Sequence, residues 1–420
     1  MMGGAERQTA IYLRGVSGIR PKVPTDGTQL EAKARKAMSK RAFAYVVAGA
    51  GASETIANNR EGFGRWRIVP RMLRDVSGRD TGIELLGRRL PSPFLLSPVG
   101  VLELAHDDAD IAVARAARAE GIPMVFSNQA SRPMEEVARE LGDSPRWFQL
   151  YWSASNELVE SLVRRAENCG CEAIVLTLDT TIVSWRTCDL DLGFLPFLRG
   201  MGIAQYTSDP VFRRLMDEPP AQAPQRPKPT LRALRTLFEL TRAYPERFPR
   251  ALASGQAQAA VQRFVEVFSR PSLNWDDLSF LRERTKLPIL LKGILHPDDA
   301  RQAIERGMDG VIVSNHGGRQ VDGAIASIDA LPEVVAAVDG RVPVILDSGV
   351  RSGADAFRAL ALGATAVGIG RPYVYGLAIA GEEGVREVIQ NFNADFDLTM
   401  ALAGCDSVAG IGPESLVRAG

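Results

Sequence analysis

The chain has 420 residues, and its formal charges cancel, 50 Lys and Arg against 50 Asp and Glu. Hydrophobic residues make up 45% and charged residues 24%, ordinary globular proportions that exclude a collagen-like, coiled-coil or low-complexity chain. Balanced charge without a long basic run argues against nucleic acid as a partner. No apolar stretch reaches the roughly 18 residues of a membrane helix, and Met1 to Gly15 has no apolar core of the signal-peptide kind. Four cysteines, Cys169, Cys171, Cys188 and Cys405, form no C-x-x-C pair. They read as free thiols of a reducing cytoplasm, with no metal site and no disulfide framework.

In chain order, residues 29–62 read as a helical region and 83–90 as a hairpin, together capping the fold over residues 1–90. A short unit then recurs: a helix rich in Ala and Arg, a glycine, and an apolar β-branched run. Examples are ARAARAEG-IPMVFSN at 114–128 and ARQAIERG-MDGVIVSNH at 300–316. The glycine suits a helix C-terminus, where a left-handed residue needs no Cβ. The runs are continuous rather than alternating, as in strands buried on both faces. Strands are predicted at 94–98, 124–127, 147–152, 173–179, 289–293, 310–315, 342–347 and 366–370. Eight βα units predict a (β/α)8 TIM barrel over residues 91–420. The first strand is followed by no G-x-G-x-x-G, which counts against an open doubly wound sheet. Between strands four and five an insertion of about 188–272 carries FLPFLRGMG, the proline-rich PVFRRLMDEPPAQAPQRPKP and an amphipathic stretch at 231–244. Leaving the end of a barrel strand, it predicts a lid over the C-terminal mouth.

Reactive residues of such barrels sit at strand C-termini. Strands seven and eight end in Asp347-Ser348-Gly349-Val350-Arg351 and Gly370-Arg371. Glycines there let backbone N–H groups converge on an anion, and a helix N-terminus with two arginines completes a phosphate cradle. Lys292 closes a buried strand, so it pairs with something anionic inside the site. His316 lies in SNHGGRQ, residues 314–320, with Arg319 three positions on, in a glycine-loosened turn that suits a general base. His106 and His296 lie at polar helix starts and read as structural.

These residues resemble a known family, the FMN-dependent enzymes that oxidise 2-hydroxy acids. The resemblance runs from about Tyr45 to Ala403 and rests on SNHGGRQ, FQLYW at 148–152, LTLD at 176–179, LKG at 291–293 and DSGVRSGADAFRALALGATAVGIGRP at 347–372. It is closest to the lactate 2-monooxygenase branch, through PRML at 70–73, FLPFLRG at 194–200 and TSDPVF at 207–212. The resemblance implies FMN as cofactor, with Gly349, Arg351, Gly370 and Arg371 on its phosphate. Ser127, Gln149 and Thr177 would meet the polar ring edge, Lys292 its electron-rich side, and Pro98, Val99 and Gly100 the ring near N5. Ser314 and Asp347 complete that set. Arg186 and Arg319 would clamp the substrate carboxylate, with Tyr45, Tyr151 and Tyr206 around it. His316 would take a proton, and Asp179 would stabilise the imidazolium. Either hydride transfer or α-proton abstraction is compatible with these residues.

Gln129 and the lid residues Phe194 and Tyr206 would shape the side-chain pocket. Gly100 stands where several oxidases carry alanine. The implied reaction is L-lactate with O2 to acetate, CO2 and water, in a homotetramer or homo-octamer; the alternative is an oxidase releasing the 2-keto acid and H2O2. A barrel of the nucleotide-dehydrogenase kind would lack the set His316, Arg319 and Arg186, and a non-catalytic flavin carrier would have lost one of the three.

Overall fold

The structure is a computed structural model that describes residues 3–219, 228–246 and 248–419. Eight parallel strands close a barrel: β1 (Phe94–Leu96), β2 (Met124–Phe126), β3 (Arg146–Leu150), β4 (Ile174–Thr177), β5 (Ile289–Ile294), β6 (Gly310–Val313), β7 (Val344–Leu346) and β8 (Ala366–Ile369). Neighbours follow sequence order, and β8 returns to β1 by pairing Val367 with Phe94 and Ile369 with Leu96. The α/β barrel is therefore the fold that the recurring units encode.

Each strand is buried on both faces, which is why its residues are apolar without alternation. Leu95, Val125, Val175, Leu290, Ile312 and Ile345 form an inner cluster, while the residues beside them in each strand pack into a larger outer one. The antiparallel hairpin Ile83–Leu85 and Arg88–Leu90 contributes Ile83, Leu85 and Leu90 to the inner cluster and so plugs the end where the strands begin. On the outside, Phe94 meets Phe392 and Phe396 of the last helix (Arg371–Ala403) edge-on at 5.7 Å. The opposite end of the barrel is left for chemistry.

Four helices precede the barrel: α1 (Gly4–Val16), α2 (Gly27–Ala37), α3 (Lys40–Val47) and α4 (Glu54–Gly64). The helical region begins earlier than the sequence pattern indicates. Helix α1 buries only Gly4 and Arg7, so it lacks the apolar periodicity that would reveal it. It docks through the Gly4 N–H, which donates to Asp397 of the last helix at 2.8 Å. A Cβ on Gly4 would come within 2.6 Å of the Ala394 carbonyl, so only glycine allows this approach. Strand Trp66–Ile68 also pairs with Leu416–Arg418, tying the N-terminal region to the far end of the chain.

The insertion between β4 and β5 is a small helical assembly over its described residues, with helices Pro210–Met216, Leu231–Ala243 and Gln256–Val267. Residues 220–227, the centre of the proline-rich stretch, lie outside the described residues. The insertion has an aromatic core of its own. Tyr206 meets Phe212 at 5.5 Å and Phe264 at 4.9 Å, and Phe264 meets Phe197 at 5.2 Å and Phe268 at 5.3 Å. Asp209 caps the first helix through the Val211 and Phe212 N–H groups and pairs with Arg165 of the helix after β3 at 3.1 Å. These contacts root the insertion against the barrel wall.

Candidate active site

A cavity opens at the strand C-termini, with residues from the ends of all eight strands, or from the turns that follow them, on its floor and sides. At one end lies the glycine-rich pair of turns. Gly349 has φ +81°, and a Cβ there would meet Asn59 at 2.9 Å, so the turn can press against α4 only as glycine. The Cα of Gly370 faces open space, with nothing within 4 Å of a Cβ built there. Ser352 caps the following helix by accepting the Asp355 N–H, which aims that helix's N-terminus toward the same region. Arg351 and Arg371 both border the cavity. The Arg371 guanidinium donates to the carbonyls of Gly317 (2.7 Å), Val46 (2.9 Å) and Ala48 (3.2 Å), so it also ties the end of α3 to the turn after β6. Burial pushes it down to about 9, against the opposing pull of Tyr375. Buried cations of this kind favour an anionic partner.

Lys292 continues the polar floor. Its ammonium donates to Ser314 Oγ at 2.9 Å and lies 3.6 Å from Asp347, whose other oxygen accepts from Ser348. Beside it, Gln149 Nε2 and Thr177 Oγ1 are buried side-chain atoms without a partner among the described residues. Gln149 uses its oxygen on the Asn128 N–H at 3.0 Å, which fixes the amide and leaves the Nε2 donor free. Orphaned buried donors cost free energy unless something meets them. A planar ring with carbonyl and imine acceptors, carrying a phosphate tail toward Gly349 and Gly370, has the chemistry to satisfy this set.

His316 stands opposite, at the end of β6. Its φ is +57°, and Gly317 and Gly318 follow at +64° and +78°. A left-handed non-glycine residue is strained, and here the strain turns the imidazole into the cavity. Ser348 Oγ holds the turn by accepting the Gly317 N–H at 2.9 Å. His316 Nδ1 lies 2.7 Å from Asp179 Oδ1, and Nε2 lies 3.5 Å from the Tyr151 hydroxyl. Burial would raise the Asp179 carboxyl, but His316, Lys292 and a hydrogen bond from Thr180 bring it to about 2. Burial lowers His316, with Asp179 pulling the other way. The imidazole is therefore neutral, donates through Nδ1 to an ionised carboxylate, and presents the Nε2 lone pair to the cavity. Asp179 can sit this close to β5 because Gly293, at φ +103°, has no Cβ; one would meet Asp179 at 2.9 Å.

Arg186 and Arg319 form the remaining wall. Arg319 donates to the carbonyls of Tyr45 and Ala48 and stacks over the Tyr45 ring at 4.8 Å. Burial, then Arg186, pushes it down to about 10. Arg186 donates to Gln320 Oε1 at 3.0 Å. Two buried guanidiniums converge here, and both keep donors free for a planar anion.

The cavity thus brings together Tyr45, Pro98, Val99, Gly100, Ser127, Tyr151, Arg186, Lys292, His316, Arg319, Asp347, Gly349, Arg351, Gly370 and Arg371. Asp179 and Ser314 stand just behind, touching His316 and Lys292. Tyr206 is fully buried in the aromatic core of the insertion, away from the cavity lining, and its hydroxyl has no partner among the described residues. Phe194 packs beneath Arg41 and Arg199, while Phe197 and Phe268 face the cavity. Thr180 and Ser97 border the site and escape the sequence reading. Thr180 directly follows Asp179 and Ser97 directly precedes Pro98, so adjacency was a usable signal. Phe268 carries none.

The family described as FMN-dependent dehydrogenase matches residues 34–418. The chain is 42% identical to an L-lactate oxidase of Lysinibacillus sphaericus over 376 residues, covering 90% of this chain and 88% of that protein. It is 39% identical to 2-hydroxyacid oxidase 1 of Homo sapiens, over 92% of this chain and 95% of that one. A solved structure of mandelate oxidase with (S)-4-hydroxymandelic acid superposes with a TM-score of 0.77 at 34% identity, covering 94% of this chain and 99% of that one.

Proposed function

Because the chain belongs to the FMN-dependent dehydrogenase family and oxidises 2-hydroxy acids with FMN, we propose that its substrate is L-lactate and that it uses O2 to give acetate, CO2 and water. The observation that carries this reading is the roofed cavity, in which Phe197 and Phe268 from the two ends of the insertion face the same space as His316 and the arginine pair. A roof that delays departure of the keto acid leaves it beside the peroxide formed on reoxidation, which decarboxylates it. At Gly100 the wall admits only glycine, since a Cβ there would come within 2.9 Å of the Gln129 carbonyl.

Bound FMN supplies a two-electron acceptor. Gly349, Arg351, Gly370 and Arg371 would hold its phosphate, and Ser127, Gln149 and Thr177 would meet the polar ring edge. Lys292, fixed by Ser314 and Asp347, would supply a cation to the side that gains negative charge. The backbone of Pro98, Val99 and Gly100 would line the ring. Arg186 and Arg319 clamp the substrate carboxylate, with Tyr45 and Tyr151 donating to its oxygens. His316 Nε2 takes the proton of the α-hydroxyl as the α-hydrogen leaves with its electron pair, and ionised Asp179 stabilises the resulting imidazolium.

A second reading, release of the keto acid with H2O2, is favoured by the likeness to proteins named L-lactate oxidase and 2-hydroxyacid oxidase. The same chemistry serves both readings, and only the residence of the product differs. Apolar side chains left exposed near the mouth, Ile182, Trp185 and Val321, support assembly into a homotetramer or homo-octamer. Four unpaired cysteines support a cytoplasmic setting. The test is to reduce the yellow protein anaerobically with L-lactate, admit air, and assay acetate and CO2 against pyruvate and H2O2. Mostly pyruvate and peroxide would sink the first reading, and lactate that fails to bleach the flavin would sink lactate as the substrate.

A further inference from the structure

Beside the cavity, two acidic side chains are enclosed where no substrate or cofactor atom needs them. Glu103 lies in the turn after β1, and its carboxylate accepts the N–H of Gly202, a residue of the insertion 99 positions later, at 2.8 Å. Its own N–H donates to Ser131 Oγ at 3.1 Å. Asp110, fully buried, accepts the N–H groups of Ser131 and Arg132, so the turn after β2 is pinned from the same side. Onto this platform the insertion descends at its closest approach. Gly202 has φ +69°, and a Cβ there would stand 2.6 Å from Val101 Cγ2, 3.1 Å from the Gln129 carbonyl and 3.2 Å from Phe197 Cε1. Ala204 adds a backbone hydrogen bond to the Ala130 carbonyl. Phe197 and Gln129 are both cavity residues, and Val101 directly follows Gly100.

We propose that Glu103 is a positioning residue: by accepting the Gly202 N–H it seats the root of the insertion on the loops after β1 and β2, holds Phe197 over the cavity, and so sets how long the keto acid stays. The physical basis is a hydrogen bond to a charged acceptor in a half-buried place, stronger than a neutral one and made by a backbone group that water would otherwise take. The carboxylate has no cationic side chain bonded to it. Its partners are Gly202 and Ser131, with Arg132 attracting it from further away. It therefore serves the seat rather than a surface ion pair. The inference rests on the product-retention reading above only for its effect on the product, not for the seat itself.

The test uses the FMN-loaded full chain and two readouts. Oxalate, a planar dianion with no oxidisable α-hydrogen, reports residence in the cavity through the flavin absorbance, without turnover. Loss of one charged hydrogen bond corresponds to about a tenfold change, so Glu103→Ala should release oxalate about tenfold faster. Glu103→Gln, which keeps an acceptor for the Gly202 N–H but not its charge, should release oxalate at a rate between those of the alanine variant and the wild type. With L-lactate and air, the alanine variant should shift product from acetate and CO2 toward pyruvate and H2O2, raising KM more than it lowers kcat. An unchanged oxalate rate in Glu103→Ala overturns the proposal. If that variant does not fold, Gly202→Ala approaches the seat from the insertion and must accelerate release; an unchanged rate there overturns it equally. A wild-type protein that yields pyruvate and peroxide alone defeats the retention reading, while the oxalate comparison still decides the seat.

Discussion

Of two aspartates buried at the loop end of the barrel, Asp179 is brought to about 2 and Asp110 is pushed up to about 7. Burial raises both, so burial does not separate them. Asp179 has Lys292 as a cationic neighbour and hydrogen bonds from His316 and Thr180. Asp110 has the N–H groups of Ser131 and Arg132 and its own N–H, with acidic Glu103 close enough to raise it further. One region concentrates cations for an anionic cofactor and substrate; the other gathers carboxylates around backbone amides and docks an insertion. The difference lies in what the carboxylate faces, and it divides the reacting wall from the supporting wall.

The comparison breaks most visibly at His316. His316→Ala removes the base while leaving the phosphate turns and Lys292 in place. Anaerobic flavin reduction by the hydroxy acid should slow by about 10³-fold, with FMN still bound by absorbance. Retained reduction would remove His316 from its role and leave Asp179 without one. Arg319→Met comes next. It deletes one of two buried guanidiniums, and kcat/KM should fall about 10²-fold, mostly through KM. The stacked Tyr45 ring and the carbonyls of Tyr45 and Ala48 also lose their partner. Arg319→Lys should therefore recover little, because an ammonium cannot reproduce the fork.

The reacting wall was legible because most of its members sit at a strand end or in the turn that follows it, whereas Tyr45, on α3, does not. A βα unit carries its own punctuation, so locating eight strands also located Lys292, His316, Asp347 and Gly370. The supporting wall was not legible, for a physical reason. Glu103 and Gly202 are 99 residues apart and meet only because an insertion folds back onto the first two loops. In sequence Glu103 reads as one more charge in LELAHDDAD, and Phe197 and Phe194 are equivalent aromatics in one short run. Which of them faces the cavity depends on Phe264, far along the chain, packing against Phe197. Arg371 falls between the two cases: its place at the cavity followed from its strand, but its three carbonyl partners did not.

The same isosteric change at the two aspartates sharpens the contrast. Asp179→Asn deletes a carboxylate whose folded pKa lies below its unfolded value. Such a group adds stability above about pH 4 and loses it as pH falls through about 2. At pH 7 the variant should therefore be less stable, on the order of 2 kcal/mol, by denaturant unfolding. Catalysis should suffer as well. Without the carboxylate that raises its affinity for a proton, His316 titrates lower, so the acid limb of the pH–rate profile should move to lower pH while the plateau rate drops. An unmoved limb would mean that Asp179 orients the ring without tuning it.

Asp110→Asn should act in the opposite sense. The folded Asp110 carboxyl, at about 7, binds its proton more tightly than in the unfolded chain. Its favourable contribution is complete below about pH 4 and is lost as pH rises through about 7, because ionising a buried carboxyl among amides and another acid is costly. The wild-type protein should thus lose stability across that window with a slope of at most about 1.4 kcal/mol per pH unit. Asparagine keeps an oxygen for the Ser131 and Arg132 N–H groups and has nothing to ionise. The variant should match the wild type near pH 4, exceed it at pH 8, and show a flatter profile between, with its flavin reduction rate following the wild type throughout. A slope unchanged by the substitution would assign that pH dependence to another group, with Glu103 the first to examine, since it is buried on the same platform and shifted in the same direction.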